Sequence, residues 1–144
     1  MPDTMMEGLR DYFLACPQLK EGKLNINFLP DGERGTEYSI DTIPGGQVLK
    51  TYINGDSQRQ LLFAIRSVEE YGSDVLANLD SCGLFERLES WMERQSSAGV
   101  LPALPEGKQA ERVEVQSTCY LMSTTPNYGK YQIQCRLIYR QRKE

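Results

Sequence analysis

The sequence predicts an α+β domain in which one antiparallel sheet carries helices on one face. The last thirty residues alternate apolar and polar side chains, with Tyr131, Ile133 and Cys135 in phase, which is the period of a strand with one buried face. A long segment over residues 75–92 instead repeats apolar residues every three or four positions, as an amphipathic helix does. Short alternating runs between Gly- and Pro-rich turns occupy most of the first half, so we expect several strands there.

Length and composition indicate a single domain over residues 1–144, with a flexible tail over about residues 141–144. A chain of this size buries roughly 70% of its unfolded surface and can form a stable core without disulfide bonds or structural metal ions. Charged residues at 25% and apolar residues at 40% are ordinary globular values. No apolar run approaches the roughly 18 residues of a membrane span. The N-terminus lacks the basic and then apolar pattern of a signal peptide, so we expect neither feature.

The first predicted element is a helix over residues 4–16. Thr4 and Glu7 have the spacing of a capping box, in which each side chain bonds a backbone N–H of the first turn. Pro17 ends the pattern because it blocks continuation of the helix. We interpret this helix as packed on the sheet, with a partner-binding arm as the alternative.

A four-strand meander is predicted to follow. Alternating residues predict three short strands, over residues 24–28, 37–41 and 48–53. A loop separates the first two at residues 30–35, and Pro44-Gly45-Gly46 separates the next two. Asn54-Gly55 then supplies two residues that tolerate positive φ, as a type I′ hairpin turn requires.

Residues 59–71 fit two structures. Leu61, Leu62 and Ile65 have helical spacing, whereas Leu61, Phe63 and Ile65 alternate as in a strand covered on both faces. The Asn-Gly turn just before them favours the strand, since a hairpin turn needs a second arm. We therefore predict a fourth strand.

The second half is predicted to contain the main helix and a C-terminal hairpin. Ser73 can cap the helix, and Gly83 marks a kink, a break into two helices or a close contact with the sheet. A proline-rich connection, Leu101–Gly107, leads to two alternating arms over residues 113–121 and 131–139. The predicted order is α-β-β-β-β-α-β-β, with helices on one face of the sheet.

The composition excludes several kinds of active site. The chain has no histidine, which excludes a Ser-His-Asp triad, a Cys-His pair and any histidine-based zinc site. The four cysteines are not in C-x-x-C pairs, and we expect reduced core thiols at Cys16, Cys82, Cys119 and Cys135. We expect no cofactor and no metal ion.

The charged residues indicate no catalytic group by themselves. Glu69, Glu70 and Asp80 could provide a carboxylate pair, but no spacing brings them together. The C-terminal end is basic through Arg136, Arg140, Arg142 and Lys143. It could meet an acidic partner or nucleic acid, although a solvated strand face is the favoured interpretation.

Five segments together resemble the minor capsid proteins of tailed phages and prophages. They are Met5–Phe13 (MMEGLRDYF), Glu37–Asp41 (EYSID), Glu86–Trp91 (ERLESW), Leu101–Gly107 (LPALPEG) and Tyr131–Arg136 (YQIQCR). The predicted layout is also similar to the tail-terminator, or tail-completion, proteins of long-tailed phages. The resemblance implies a non-enzymatic structural protein of the virion, assembled in the bacterial cytoplasm. Its partners would be like subunits in a ring of about six copies, a tail-tube protein and a head connector protein, with no membrane and no specific nucleic acid.

We expect the contacts of such a ring subunit in exposed loops, because loops on a rigid scaffold carry contacts. The candidate regions are the loop 31–35, the connection 97–107 and the turn of the C-terminal hairpin, 123–129. The candidate contact residues are Asp31, Glu33, Arg34, Leu101, Leu104, Pro126, Asn127 and Tyr128. Two other functions remain open: a head-associated minor capsid protein, and a small carboxylate-based enzyme or ligand-binding module.

Overall fold

The computed structural model describes residues 2–17, 23–26, 37–45, 48–70, 75–117, 120–124 and 128–143. Within these residues two helices and seven strands follow one another. They are α1 (Met5–Leu14), β1 (Lys23–Ile26), β2 (Glu37–Thr42), β3 (Val48–Thr51), β4 (Ser57–Glu70), α2 (Val75–Ser97), β5 (Lys108–Val115), β6 (Tyr120–Thr124) and β7 (Tyr128–Gln141). This confirms the α+β class. The predicted loop 30–35, the cap at Ser73 and the hairpin residues 125–127 lie outside the described residues.

Helix α1 begins as its capping residues predict. The Glu7 backbone N–H donates to Thr4 Oγ1 at 3.1 Å, and Glu7 Oε2 accepts from the Asp3 N–H at 3.0 Å. The first bond satisfies an N–H group that the first turn of a helix leaves without a partner, and the second ties the residue before the cap to the helix. Leu9 and Phe13, one turn apart, are fully buried, so the helix packs on the sheet.

The centre of the sheet is a long antiparallel pair, β4 and β7. Each strand has 14 residues, and they pair from Ser57 with Gln141 to Glu70 with Tyr128. The strand interpretation of residues 59–71 is therefore confirmed over its described part. The alternation of Phe63 and Ile65 places both fully buried side chains on the face that the helices cover.

The predicted four-strand meander needs correction. β2 and β3 both pair with the same edge of β4, β2 from Thr42 with Phe63 onward and β3 at Thr51 with Ser57. β1 lies on the outer edge of β2 and runs parallel to it. Alternation identifies a strand but does not specify its neighbour or direction, which is why the sequence pattern suggested consecutive antiparallel pairing.

The first arm of the C-terminal hairpin is also less regular than predicted. β5 and β6 both pair with β7, but the register shifts between Ala110 and Arg112 and again between Leu121 and Ser123. Between β5 and β6, the Gln116 and Ser117 N–H groups both donate to the Gln134 carbonyl. Such bulges oppose two residues to one, so residues 113–121 do not form one uninterrupted strand.

Helix α2 runs without a break from Val75 to Ser97. The predicted break at Gly83 is wrong, because the helix does not divide there. The predicted close contact with the sheet is not seen either: among the described residues, an added Cβ would meet Arg87 Nη1, at 3.3 Å, and no strand residue within 4 Å. Gly99, with φ of 76°, ends the helix in a Schellman motif, in which the Val100 N–H donates to the Gln95 carbonyl at 2.9 Å.

Both helices contribute to one core on one face of the sheet. Its largest fully buried side chains include Phe13 of α1, Phe85 and Leu88 of α2, and Phe63 and Leu137 of the central strands. Rings of the two helices meet directly, since Tyr12 and Trp91 lie 5.0 Å apart between centroids. The predicted packing of two helices on one sheet face is thus observed. None of the helices in the described ranges is both long and apolar enough to cross a membrane.

The C-terminal residues are held to the sheet. Gln141 belongs to β7, the Arg142 N–H donates to the Gly107 carbonyl at 2.8 Å, and the Lys143 N–H donates to Asp56 Oδ1 at 2.9 Å. The expectation of a flexible tail from residue 141 is therefore corrected for residues 141–143.

Candidate interaction surfaces

The described residues contain no group of three or more Cys, Asp or Glu side chains arranged to hold a metal ion. Cys16 and Cys135 are buried thiols, as predicted. Burial raises the pKa of Cys135, which keeps it protonated and unreactive at neutral pH. Cys82 and Cys119 have no described side chains. The search for function therefore turns to the surface.

The sheet face opposite the helices carries a network of arginines and acids. Arg66 Nη1 donates to Asp41 Oδ2 at 2.7 Å, and Arg66 Nε donates to Gln132 Oε1 at 2.6 Å. Arg136 bonds Glu114 in the same way across β7 and β5. Arg66 and Arg136 thus pair with acids of their own sheet, and both partners of Arg66 are buried.

The β3 edge of the sheet exposes three aliphatic side chains, one of them in the turn between β3 and β4. Ile53 is completely exposed, at 109% of its reference area, while Val48 and Leu49 are 52% and 43% exposed. We call Ile53 the hairpin tip; Val48 and Leu49 lie towards the other end of β3, where Val48 pairs with Arg59. All four residues of β3 are exposed, and among the described strands β3 pairs only with β4. An edge strand with unpaired backbone groups is a place where another chain can bind.

The hairpin loop has three residues rather than the predicted two. The Tyr52 N–H donates to the Asp56 carbonyl at 2.8 Å and the Gly55 N–H donates to the Tyr52 carbonyl at 3.0 Å. Residues 53–55 therefore form the loop, and Gly55 takes a positive φ of 95°. A three-residue loop with glycine at the left-handed position is a common hairpin connection. It places Ile53 as the first residue of the loop.

Asp56 anchors this hairpin to the C-terminal strand. Its Oδ2 accepts from Arg140 Nε and Nη2, at 3.1 and 2.9 Å, and its Oδ1 accepts from the Lys143 backbone. The Arg140 guanidinium also lies 4.4 Å from the Tyr52 ring centroid, a cation–π contact. The Lys143 and Arg140 hydrogen bonds hold the pKa of Asp56 below its usual range. The exposed tip is thus mounted on a rigid base.

The opposite edge of the sheet is covered. Ser96 of α2 donates its hydroxyl to the Val113 carbonyl at 3.1 Å and accepts from the Val113 N–H at 3.3 Å. The Val113 N–H and carbonyl, which face the outer edge of β5, thus have a helix side chain as their hydrogen-bond partner. Natural proteins protect sheet edges in this way against pairing with other chains.

The segment Val100–Gly107, which we call the strap, connects α2 to β5 and packs against α1. Its Ala103 carbonyl lies so close to α1 that a Cβ added at Gly8 would stand 2.0 Å from the Ala103 oxygen. Only glycine permits that approach. At its end, the Lys108 N–H donates to the Pro105 carbonyl at 3.1 Å.

A surface groove of about 380 Å³ lies between the strap and β5. We call it the strap groove. Five of its lining residues are apolar: Leu101, Pro102, Ala103, Leu104 and Ala110. Lys108, Gln109 and Gly99 complete the lining. Leu104, Pro102 and Ala110 are buried, which makes them the floor, while Ala103 is exposed at the rim.

Among the sequence-predicted contact residues, the structure describes the side chains of Leu101 and Leu104 alone. Asp31, Glu33, Arg34, Pro126 and Asn127 lie outside the described residues. Tyr128 begins β7 opposite Glu70, and its side chain is not described.

The two leucines of the proline-rich connection are described. Leu101 is half-buried, and Leu104, at 6% exposure, belongs to the core as well as to the floor of the strap groove. The sequence interpretation missed the hairpin tip. An available signal was Ile53 immediately before Asn54-Gly55, since a turn position is ordinarily polar.

The chain matches no family model and no curated protein sequence. The resemblance to phage minor capsid proteins therefore rests on the five sequence segments alone.

Proposed function

We propose that this protein is a structural subunit of a tailed phage, acting at the junction of head and tail as a tail terminator. In this role copies of the chain form a ring on the end of the tail tube, stop its growth and present a surface to the head connector. The proposal starts from the resemblance of the five segments, and the fold is compatible with it.

The observation that carries the proposal is the hairpin tip. Ile53 is completely exposed in the turn, and Val48 and Leu49 are exposed on the edge strand that precedes it. Burial in a partner removes this apolar area from water, at roughly 25 cal/mol per Å². The rigid base at Asp56 reduces the ordering cost of such a contact.

A second support is the difference between the two sheet edges. Ser96 covers the β5 edge, and β3 is exposed along its whole length. A ring subunit meets its two like neighbours through different surfaces, because a closed ring is built from head-to-tail contacts. A chain with two dissimilar edges meets that requirement.

The charged side chains also fit a structural role. Asp41, Glu114 and Asp56 each bind an arginine of the same sheet. Groups used in this way hold strands together and do not present a pair of carboxylates to a substrate.

The test uses the tail-tube protein encoded in the same genome. Tubes of that protein are assembled with and without this chain, and their lengths and ends are measured by electron microscopy. We expect the chain to halt elongation and to leave a ring of density at one tube end. Tubes of unchanged length with bare ends, at a molar excess of the chain, would contradict the proposal.

A further inference from the structure

We propose that the C-terminal residues Arg140–Lys143 act as a clamp that keeps the edge strand β3 on the sheet, so that β3 detaches when the clamp is opened. We call these four residues the C-terminal clamp. The clamp closes on Asp56, which lies between the hairpin loop and β4. The inference concerns the separate chain and does not depend on assembly into a ring.

The contacts of β3 itself attach it only weakly to the sheet. All four of its residues are exposed, and none of their side chains belongs to the core. Among the described strands β3 pairs with β4 alone, and the register shifts between Val48 and Lys50. A hairpin without a buried face is marginally stable in water. Contacts from outside the hairpin therefore decide whether β3 stays paired.

Asp56 accepts the hydrogen bonds of the clamp. Its Oδ2 accepts from Arg140 Nε and Nη2, and its Oδ1 accepts from the Lys143 backbone N–H at 2.9 Å. Hydrogen bonds to a charged group are stronger than those between neutral groups. Asp56 also accepts from Asn54 Nδ2 at 3.2 Å and donates its own N–H to Asn54 Oδ1 at 3.0 Å. The loop is thus bonded to the residue that the clamp holds.

Two side chains of the clamp also lie against the turn. The Arg140 guanidinium is 4.4 Å from the Tyr52 ring centroid, within the range of a cation–π contact. The Lys143 stem crosses Gly55, where an added Cβ would stand 2.5 Å from Lys143 Cδ. Tyr52 and Gly55 carry the two N–H groups whose hydrogen bonds close the loop. The clamp therefore touches the turn at both closing residues.

The backbone of the clamp is fixed on its other side to the end of the strap. The Arg142 N–H donates to the Gly107 carbonyl at 2.8 Å, and the next N–H, that of Lys143, donates to Asp56. Successive N–H groups of the clamp thus bond opposite sides. The clamp is held by the β5 side of the sheet and in turn holds the turn beside β3.

The clamp has a consequence for assembly. β3 is the edge that the proposed function offers to another subunit, so an open clamp would leave that edge disordered. This consequence rests on the proposed function, whereas the clamp itself is tested on the separate chain without tail tubes.

Amide exchange followed by NMR tests the clamp at single residues. The reporters are the Tyr52 and Gly55 N–H groups, and the control is the Val113 N–H, which Ser96 covers. Asp56→Ala removes the acceptor of both clamp bonds. It is expected to accelerate exchange of the two reporters by about tenfold, because a detached β3 opens locally while the rest of the sheet stays closed. Exchange of the Val113 N–H should not change.

A matched pair of variants isolates the bond from Lys143. Lys143→Pro removes the backbone N–H that donates to Asp56, whereas Lys143→Ala keeps that N–H. Both variants lose the long side chain, so the difference between them reports the hydrogen bond alone. Exchange at Tyr52 and Gly55 is expected to be about fivefold faster in Lys143→Pro than in Lys143→Ala.

Three results would overturn the inference. Equal exchange in Lys143→Pro and Lys143→Ala, or no acceleration in Asp56→Ala, would show that β3 keeps its place without the clamp. Acceleration of Val113 to the same extent as Tyr52 would show that these bonds support the whole fold rather than β3. Each of these results leaves the capping of tail tubes to be decided separately, and tubes that are never capped contradict the proposed function without affecting the clamp.

Discussion

The β5 and β3 edges of the sheet differ in whether the rest of the chain covers them. At the β5 edge, the Ser96 hydroxyl bonds both backbone groups of Val113. At the β3 edge, every residue of the strand is exposed, and the Ile53 side chain in the adjoining turn is completely exposed. Both edges belong to the same sheet and lie at the same end of it.

This difference separates stability from recognition. The covered edge is stabilised by contacts within the chain, so changes there should cost folding free energy. The hairpin edge has few such contacts, so changes at its tip should cost little stability and act on assembly instead.

The largest expected effect comes from the strap. Gly8→Ala places a methyl group 2.0 Å from the Ala103 carbonyl oxygen, so the strap or α1 must shift, at a cost of about 1–3 kcal/mol. Gly83→Ala is the control, because its methyl group meets only the end of the Arg87 side chain. That change should be neutral or stabilising by up to about 1 kcal/mol. Urea unfolding of the two variants measures both values, and equal stability would contradict the close approach.

Removal of the Ser96 hydroxyl should have the next largest effect. Ser96→Ala leaves the Val113 N–H and carbonyl without their helix partner, which should cost about 1–2 kcal/mol. Ser97→Ala, at the exposed neighbouring position, should stay within about 0.5 kcal/mol of the unmodified chain. Chemical denaturation decides the comparison. Identical midpoints would show that Ser96 does not protect this edge.

The anchor of the hairpin should respond to pH. The pKa of Asp56 is lowered in the folded chain, so its contribution to stability is present above the unfolded pKa, about 3.9, and is lost as the pH falls through the folded value. Arg140→Gln removes one cause of the shift and should raise the pKa of Asp56. NMR titration of the Asp56 carboxyl carbon measures this change. An unchanged pKa would show that Arg140 does not hold the hairpin.

The smallest expected effect on stability is at the tip. Ile53→Ala removes aliphatic atoms that are fully exposed, and the unfolding free energy should change by less than about 0.5 kcal/mol. Leu88→Ala, in the core beneath α2, is the contrasting control and should cost about 2–5 kcal/mol. A loss above 1 kcal/mol for Ile53→Ala would mean that the tip packs within its own molecule.

Local patterns in the sequence predicted most elements correctly. The period of Tyr131, Ile133 and Cys135 specified a strand with one buried face, and Thr4 with Glu7 specified the start of α1. Such signals are local, because one strand or one helical turn contains all the residues involved. The pairing of β1 with β2 in parallel depends on long-range contacts that no local pattern encodes.

The candidate surfaces were harder to predict for a related reason. Leu104 is apolar in a proline-rich connection and was expected to be exposed, but it lies 6% exposed in the core. Ile53 was counted as the last residue of a strand, although it is the first residue of the hairpin loop. Exposure depends on what covers a residue, and only the assembled sheet shows that β1 covers β2 while β3 stays bare.

Hydrogen–deuterium exchange tests most directly the claim that one edge is closed for stability and the other is open for assembly. In the separate chain, amides of residues 48–53 should exchange much faster than those of β5 around Val113. On capped tail tubes, we expect residues 48–53 to become protected, while Val113 remains unchanged. Exchange of residues 48–53 that is as fast on capped tubes as in the separate chain would contradict the account.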